Sequence, residues 1–250
     1  MLRAYGLTDT GPDRPINEDC FAIQEELGLC VIADGMGGHN AGEVAARLAV
    51  DAVVDFIREA DDTWPFGYDP SLSIDGNRLR TAVQLAHVQV LEASFSANQY
   101  AGMGTTVVAA RVADSRLSVA HVGDSRLYLM ADRRLRQVTV DDSWMTSMLA
   151  LDPEADPWLL RQHPMSNALT NVVGTRARAD VHVAEQALSG GEVMLLATDG
   201  VHGVVQDGRL ARLMLDGDSP REIAQSVIAA ALARGSRDNC TAVVACYRSA

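Results

Sequence analysis

The chain has 250 residues, with 21 basic and 33 acidic side chains and a formal net charge of −12 when histidine is neutral. Its hydrophobic content of 48% is that of a globular protein and excludes a disordered or collagen-like chain. An acidic surface repels nucleic-acid phosphates, and no apolar run reaches the roughly 18 residues of a membrane span, so both classes are disfavoured. Because the first residues also lack the apolar segment of a secretory signal, we expect a cytoplasmic protein, with a monomer as the simplest state.

Two long segments have the apolar spacing of amphipathic helices. They predict helices over residues 41–58 and 78–97, separated by a turn-rich connection. A third helix is predicted after Ser219-Pro220, because serine caps helix N-termini and proline is favoured in the first turn. His87 borders the apolar stripe of the second helix and is interpreted as a packing or surface histidine.

Short runs rich in β-branched residues predict the strands. They are bounded by Gly, Asp or Asn, and several are apolar on both faces, as expected of strands buried between two layers. Strict alternation of strands and helices is absent, which favours an α+β fold with sheets packed on each other and helices outside. The predicted strands are 29–33, 105–112, 117–122, 127–130, 193–197 and 242–247.

Residues 141–171 form an irregular, partly helical insertion between predicted strands. Each of three prolines within it disfavours helix at the preceding residue. A long excursion inside a compact domain is often functional, so we interpret this segment as a lid.

Acidic residues lie at the ends of several predicted strands. If these strands assemble side by side, the carboxylates converge, and their mutual repulsion is severe without a cation. Oxygen ligands without histidine or thiolate suit Mg²⁺ or Mn²⁺ rather than zinc, and the four cysteines form no CxxC pair and are interpreted as reduced packing residues. For each aspartate taken alone a strand-end turn residue is the better interpretation, whereas the set as a whole favours a metal site. The set comprises Glu18, Asp19, Asp34, Asp124, Asp199 and Asp238.

The Asp-Gly dipeptide occurs five times, and context separates the copies. Asp34 and Asp199 follow apolar strands, so their carboxylates are predicted at the strand mouths. Asp75, Asp207 and Asp216 follow no strand and are predicted to lie in turns.

Six short motifs follow one another in a definite order between about Gly6 and Tyr247. They are Arg14–Asp19 (RPINED), Ala33–His39 (ADGMGGH), Gly102–Thr106 (GMGTT), Val122–Arg126 (VGDSR), Ala197–Val201 (ATDGV) and Arg237–Thr241 (RDNCT). Any one of them is a weak signal, but six in this order are strong. Together they resemble the metal-dependent protein serine/threonine phosphatase family of type 2C, in its compact bacterial form.

The resemblance implies a single catalytic domain over residues 1–250. Its expected architecture is a four-layer α/β/β/α sandwich of two mainly antiparallel sheets flanked by helices, with a lid near 141–171. Two Mn²⁺ or Mg²⁺ ions are implied in a cleft at one end of the sheets, with the possibility of a third, weaker one.

The same resemblance assigns roles by motif. Asp34 would bridge two ions with help from the Gly35 carbonyl, and Asp199 and Asp238 would complete the protein ligands. Arg14 matches the family's phosphate-binding arginine, so the catalytic residues are Arg14, Asp34 and Asp199. The implied metal residues are Asp34, Gly35, Asp199, Asp238, Glu18 (mainly through metal-bound water) and Asp124 (with Asp199, at the third ion), while Asp19 and Asn239 support them from behind.

The implied activity is hydrolysis of phosphoserine and phosphothreonine in proteins. A hydroxide shared between two ions would attack phosphorus in line, without a covalent phosphoenzyme. The implied partners are phosphorylated proteins, including a bacterial Ser/Thr kinase and its substrates. Two alternatives stay open: a non-catalytic metal-binding sensor on the same fold, and a phosphatase of an anti-sigma antagonist or a small phosphoester.

The chain departs from the family pattern in two places. Met36 stands where animal members place a histidine that protonates the leaving alkoxide, so the general acid is unassigned; His39 is a candidate, with a loop histidine as the alternative. The lid begins with residues 141–143 (Asp-Asp-Ser), where bacterial relatives usually have Asp-His-Ser. Trp144 and Trp158 are the only aromatics among residues 141–171.

Overall fold

The computed structural model describes residues 1–38, 41–59 and 63–249. The strands are β1 (Leu2–Asp9), β2 (Asp19–Gln24), β3 (Leu29–Met36), β4 (Gly104–Thr105), β5 (Val107–Ala113), β6 (Arg116–Val122), β7 (Arg126–Ala131), β8 (Arg134–Gln137), β9 (His182–Ala187), β10 (Val193–Ala197) and β11 (Cys240–Tyr247). The helices are α1 (Ala41–Glu59), α2 (Ile74–Ser96), α3 (Trp144–Leu151), α4 (Pro157–Arg161), α5 (Asp199–His202), α6 (Asp207–Asp216) and α7 (Pro220–Ala233).

The strands form two antiparallel sheets. One has the order β1-β11-β10-β7-β8, and the other has the order β2-β3-β5-β6-β9 with the short β4 paired to β3. The first and last strands of the chain pair along their whole length, from Leu2 opposite Tyr247 to Asp9 opposite Cys240. Pairing of the two ends brings the N-terminal motif residues next to those that precede β11.

Three apolar clusters define four layers. One packs α1 and α2 on the β2-containing sheet, a second packs α6 and α7 on the β1-containing sheet, and the third lies between the two sheets. Side chains alternate between the two faces of a strand, so one strand contributes to two clusters. In β10, Leu195 faces the α7 side, while Met194 and Leu196 face the opposite sheet. The predicted α/β/β/α sandwich is confirmed.

The lid is a partly helical excursion between β8 and β9. Ser143 caps α3 by accepting from the Thr146 amide, and the Trp144 ring stacks on His163 with 4.3 Å between centroids. A bridge between Ser143 and Leu169 closes its base. The lid therefore leaves and rejoins the sandwich at one point.

The three predicted helices are present, but the three predicted Asp-Gly turns are wrong, because all three aspartates lie in helices; Asp216 is the last residue of α6. Asp75 lies in the first turn of α2, which begins earlier than expected because Ser73 caps it, and Asp207 begins α6. An acidic residue in the first turn of a helix is stabilised by the helix dipole, which outweighs the turn tendency of Asp-Gly. His87 is buried, with 4% exposure, as the packing interpretation expected.

Every helix within the described ranges is too short or too polar to cross a bilayer.

Candidate active site

A cleft of about 460 Å³ opens at one end of the two sheets. Its walls come from strand ends and from the return segment of the lid. The residues that line it are Arg14, Glu18, Asp34, Gly35, Met36, Gly37, Thr106, Asp124, Asn167, Leu169, Val172, Asp199, Asp238 and Asn239.

Strand pairing explains why distant carboxylates meet here. Asp34 lies near the end of β3, directly opposite Asp19 in the register of β2 and β3. Asp199 is the first residue of α5, immediately after β10, and Asp238 comes just before β11, the neighbour of β10. Asp124 lies in the turn between β6 and β7. Four elements thus deliver acidic groups to one end of the sandwich.

Asp34 lies among the other acidic groups of the cleft. Burial raises its pKa well above the ordinary value, and the charges of Asp19, Asp199, Asp124 and Asp238 raise it further. Its backbone is fixed from the junction of β4 and β5, because the Thr106 hydroxyl accepts from the Asp34 amide at 3.0 Å. A carboxylate held rigidly among like charges is an acceptor in need of a cation.

Asp199 and Asp238 face each other across the junction of β10 and β11. Burial, followed by the charge of Asp238, raises the pKa of Asp199, and a hydrogen bond with Asp34 opposes this shift. Arg14 donates to Asp238 Oδ2 at 2.7 Å, and this bond raises the pKa of the guanidinium. Gly11 allows the N-terminal loop to approach, since a Cβ there would meet the Asp238 carbonyl oxygen at 2.3 Å with a φ of +74°.

Asp19 lies beneath the cleft rather than in its wall. Oδ2 accepts from the hydroxyls of Thr241 at 2.6 Å and Thr198 at 2.9 Å. Burial raises its pKa to about 7, while these two hydrogen bonds lower it. Its other oxygen, Oδ1, is buried and has no hydrogen-bond partner in the protein.

Glu18 and Asn239 connect the N-terminal loop to β11. The Asn239 side chain accepts from the Glu18 amide at 2.8 Å and donates to the carbonyl oxygens of Thr10 at 2.8 Å and Ile16 at 3.0 Å. Glu18 Oε1 is buried and also lacks a partner, and burial raises the pKa of this carboxyl group. Asn239 is thus saturated by the backbone, whereas Glu18 has bonding capacity to spare.

Asp124 is held from α5 by His202. The His202 ring nitrogen Nε2 lies 3.0 Å from the Asp124 carbonyl oxygen. Burial lowers the pKa of His202 to about 3, so the ring is neutral at physiological pH. The side chain of Asp124 has a pKa raised to about 7, by burial and then by the charges of Asp199 and Asp141.

The chemistry of this donor set fits hard divalent cations. It offers carboxylate and carbonyl oxygens without thiolate or imidazole, and it includes two buried carboxylate oxygens, on Glu18 and Asp19, that no protein group satisfies. Within the described ranges, no three acidic, histidine or cysteine side chains stand close enough together to hold one ion as they are placed. The Arg14 guanidinium lies 2.7 Å from Asp238 Oδ2, so a cation at this carboxylate would compete with Arg14 or share the carboxylate with it.

All predicted site residues except Asp19 line the cleft, and Asp19 lies directly behind it. Sequence reasoning missed Thr198, Thr241 and His202 as supports. The two threonines lie inside quoted motifs, whereas nothing in the local pattern marks His202. His39, the candidate general acid, lies outside the described residues.

Comparisons with known proteins place the chain in a family. Residues 14–233 match the family model described as Protein phosphatase 2C. A protein of Listeria welshimeri named Serine/threonine phosphatase stp is 31% identical, over 97% of this chain and 95% of that protein. Serine/threonine phosphatase Stp1 from Staphylococcus aureus has a similar structure, with a TM-score of 0.86, 31% identity and coverage of 100% of this chain and 96% of the other.

A further solved structure bears on the metal. The catalytic domain of the serine/threonine protein phosphatase PstP, in complex with two manganese ions, matches with a TM-score of 0.84 at 29% identity, over 99% of each chain. Family model, sequence relatives and solved structures agree over nearly the whole length. The chain therefore belongs to the protein phosphatase 2C family of metal-dependent serine/threonine phosphatases.

Proposed function

We propose that this phosphatase hydrolyses phosphoserine and phosphothreonine esters of proteins in the 460 Å³ cleft, with Asp34, Asp199 and Asp238 as its core metal ligands. The observation that carries the assignment is the convergence of carboxylates in one cleft, where burial and then the neighbouring acidic charges raise the pKa values of Asp34 and Asp199. Such a cluster is costly without a cation and is satisfied by two.

In this proposal Asp34 would be a ligand of both ions, with help from the carbonyl of Gly35. Its pKa responds to the charges of four other carboxylates, so it is central to the cluster. Glu18 contributes through its unsatisfied Oε1, and Asp19 and Asn239 orient the ligands from behind. Divalent ions held there, Mn²⁺ or Mg²⁺, would supply activation of water at neutral pH and neutralisation of phosphoryl charge.

Asp124 and Asp199 form a third and weaker site in this assignment. Each raises the pKa of other carboxylates in the cleft, and the charge of Asp199 raises that of Asp124. His202 holds the Asp124 backbone from the same short helix that begins with Asp199. The two acidic groups are therefore fixed relative to each other.

Arg14 binds the phosphoryl group. Its side chain is 45% exposed and lines the cleft, and a planar guanidinium donates two parallel hydrogen bonds to phosphate oxygens. Its positive charge also stabilises the negative charge on the phosphoryl oxygens in the transition state. Met36 lines the same cleft and has no proton to give to the leaving alkoxide.

The substrates are phosphorylated proteins, including those of a partner Ser/Thr kinase, and the enzyme acts in the cytoplasm as a single catalytic domain and a monomer. Free cysteines at all four positions are consistent with a reducing compartment. A sensor without activity is disfavoured, because every core ligand position carries an oxygen donor.

The test is phosphate release from a panel of phosphoserine and phosphothreonine peptides, with Mn²⁺, with Mg²⁺ and with EDTA. We expect turnover only with metal, and loss of turnover in Asp199→Asn, whereas Asp207→Asn, at an exposed helix terminus, behaves as wild type. Metal-independent turnover refutes the proposal, as does an Asp199→Asn variant that stays active at saturating metal.

A further inference from the structure

The two ends of the lid meet at one residue, Asp142. The Thr170 amide donates to the Asp142 carbonyl oxygen at 2.8 Å, and the Asn171 side chain donates to Asp142 Oδ2 at 2.8 Å. Asn171 in turn binds Asp180 through two hydrogen bonds, of 2.8 and 3.2 Å. Asp142 thus joins the outgoing segment of the lid to its return segment.

The same carboxylate reaches the turn that carries Asp124. The Gly123 amide donates to Asp142 Oδ2 at 2.9 Å, and the Asp142 amide donates to the Gly123 carbonyl oxygen at 3.0 Å. These reciprocal bonds fix the residue immediately before Asp124. His202 fixes the Asp124 carbonyl from α5, so the turn is held between the lid base and the metal-ligand helix.

A third contact fixes the free oxygen of Asp142. His182 Nε2, on the edge strand β9, lies 2.9 Å from Oδ1. The carboxylate is 13% exposed and accepts from three different segments of the chain. A simple loop anchor needs only the lid ends, whereas this group also binds Gly123, the residue before the cleft residue Asp124.

We propose that Asp142 is a positioning residue that couples the lid to Asp124, so that displacement of the lid base displaces this cleft carboxylate. The inference rests on the proposed function of Asp124 as a metal residue. It assigns to Asp142 a role through Gly123, without contact to substrate or metal.

Asn171→Ala is the primary test, because it removes a lid contact of Asp142 and leaves the bonds to Gly123 in place. Hydrogen exchange is followed by mass spectrometry on the metal-free protein, for peptides covering residues 121–126 and 166–171. Coupling predicts faster exchange in both peptides, about tenfold, the factor that corresponds to about 1.4 kcal/mol for the loss of one hydrogen bond. Asp152→Ala is the matched control: this exposed lid aspartate caps only the Glu154 amide, and its removal is expected to leave both peptides unchanged.

A second readout uses para-nitrophenyl phosphate, which is too small to engage the lid. Asp142→Ala is expected to raise the Mn²⁺ concentration for half-maximal rate about tenfold, with the substrate KM unchanged. Asp142→Asn keeps an acceptor for Gly123 and is expected to show a smaller rise in that Mn²⁺ concentration. If Asp142→Ala does not fold, Asn171→Ala and His182→Ala give the same test from the outer contacts. Faster exchange in 166–171 with wild-type exchange in 121–126 overturns the coupling, while a wild-type protein that never releases phosphate defeats the proposed function instead.

Discussion

Removing one negative charge from the cleft should stabilise the metal-free protein. The pKa of Asp124 is raised from 3.8 to about 7, first by burial and then by the charges of Asp199 and Asp141. A carboxyl group whose folded pKa lies above its unfolded pKa contributes its full stability below about pH 4 and loses that contribution as the pH rises through about 7. The free energy of unfolding in EDTA is therefore predicted to fall across this window.

Asp124→Asn is expected to abolish this fall in the free energy of unfolding with rising pH, because the amide does not ionise. A shift from 3.8 to about 7 corresponds to at most about 4 kcal/mol, and partial exposure of Asp124 to the cleft reduces the expected gain to about 2 kcal/mol. The assay is urea denaturation in EDTA between pH 5 and pH 8.5. The variant is expected to gain on wild type as the pH rises, while saturating Mn²⁺ reverses the order by stabilising wild type more.

Asp132→Asn is the matched control, since Asp132 lies exposed at the turn between β7 and β8. Its stability is expected to follow wild type within about 0.5 kcal/mol at every pH. Buried like charges predict that Asp124→Asn has a larger free energy of unfolding than wild type at pH 8.5 and that this difference shrinks toward pH 5. Equal unfolding free energies at pH 8.5, or a difference that stays constant toward pH 5, refute the prediction.

Three further changes test single contacts. Arg14→Ala should mainly raise KM for a phosphopeptide in steady-state kinetics, and an unchanged KM contradicts its assigned role. In wild type, the lowered pKa of His202, about 3, means that the free energy of unfolding falls as the pH drops from about 6.5 toward 3. His202→Gln should reduce this fall, because glutamine does not titrate. An unchanged dependence of the unfolding free energy on pH in acid denaturation argues against burial of a neutral ring. Gly200→Ala should lower the melting temperature strongly, because its Cβ would meet the Asn239 carbonyl oxygen at 1.9 Å, whereas Gly208→Ala, with no atom within 4 Å, should not; equal melting temperatures contradict this close approach.

Much of the fold could be predicted from the sequence pattern because the inner strands are apolar on both faces. β3 and β10 supply side chains to two clusters each, so continuous apolar runs ending in Asp were readable as buried strands with acidic ends. The turn predicted at Asp75 was wrong because the Ser73 hydroxyl accepts from the Gly76 amide, and this cap begins α2 before Asp75.

The supports of the site were less visible because their partners are distant in the sequence. Asp142 binds Gly123, Asn171 and His182, which are 19, 29 and 40 residues away. The unusual Asp-Asp-Ser start of the lid indicated only that this region differs from relatives. Its pairing with His182 depends on the position of an edge strand, β9, which the sequence analysis did not predict.

Direct counting of bound Mn²⁺ tests the central claim, since free Mn²⁺ is measurable by electron paramagnetic resonance during a titration. Wild-type protein is expected to bind two equivalents tightly, to release them to EDTA, and to lose tight binding in Asp34→Asn because this side chain is assigned to both ions. An Asp34→Asn variant that binds Mn²⁺ as wild type does, or a wild type that binds none, contradicts the account.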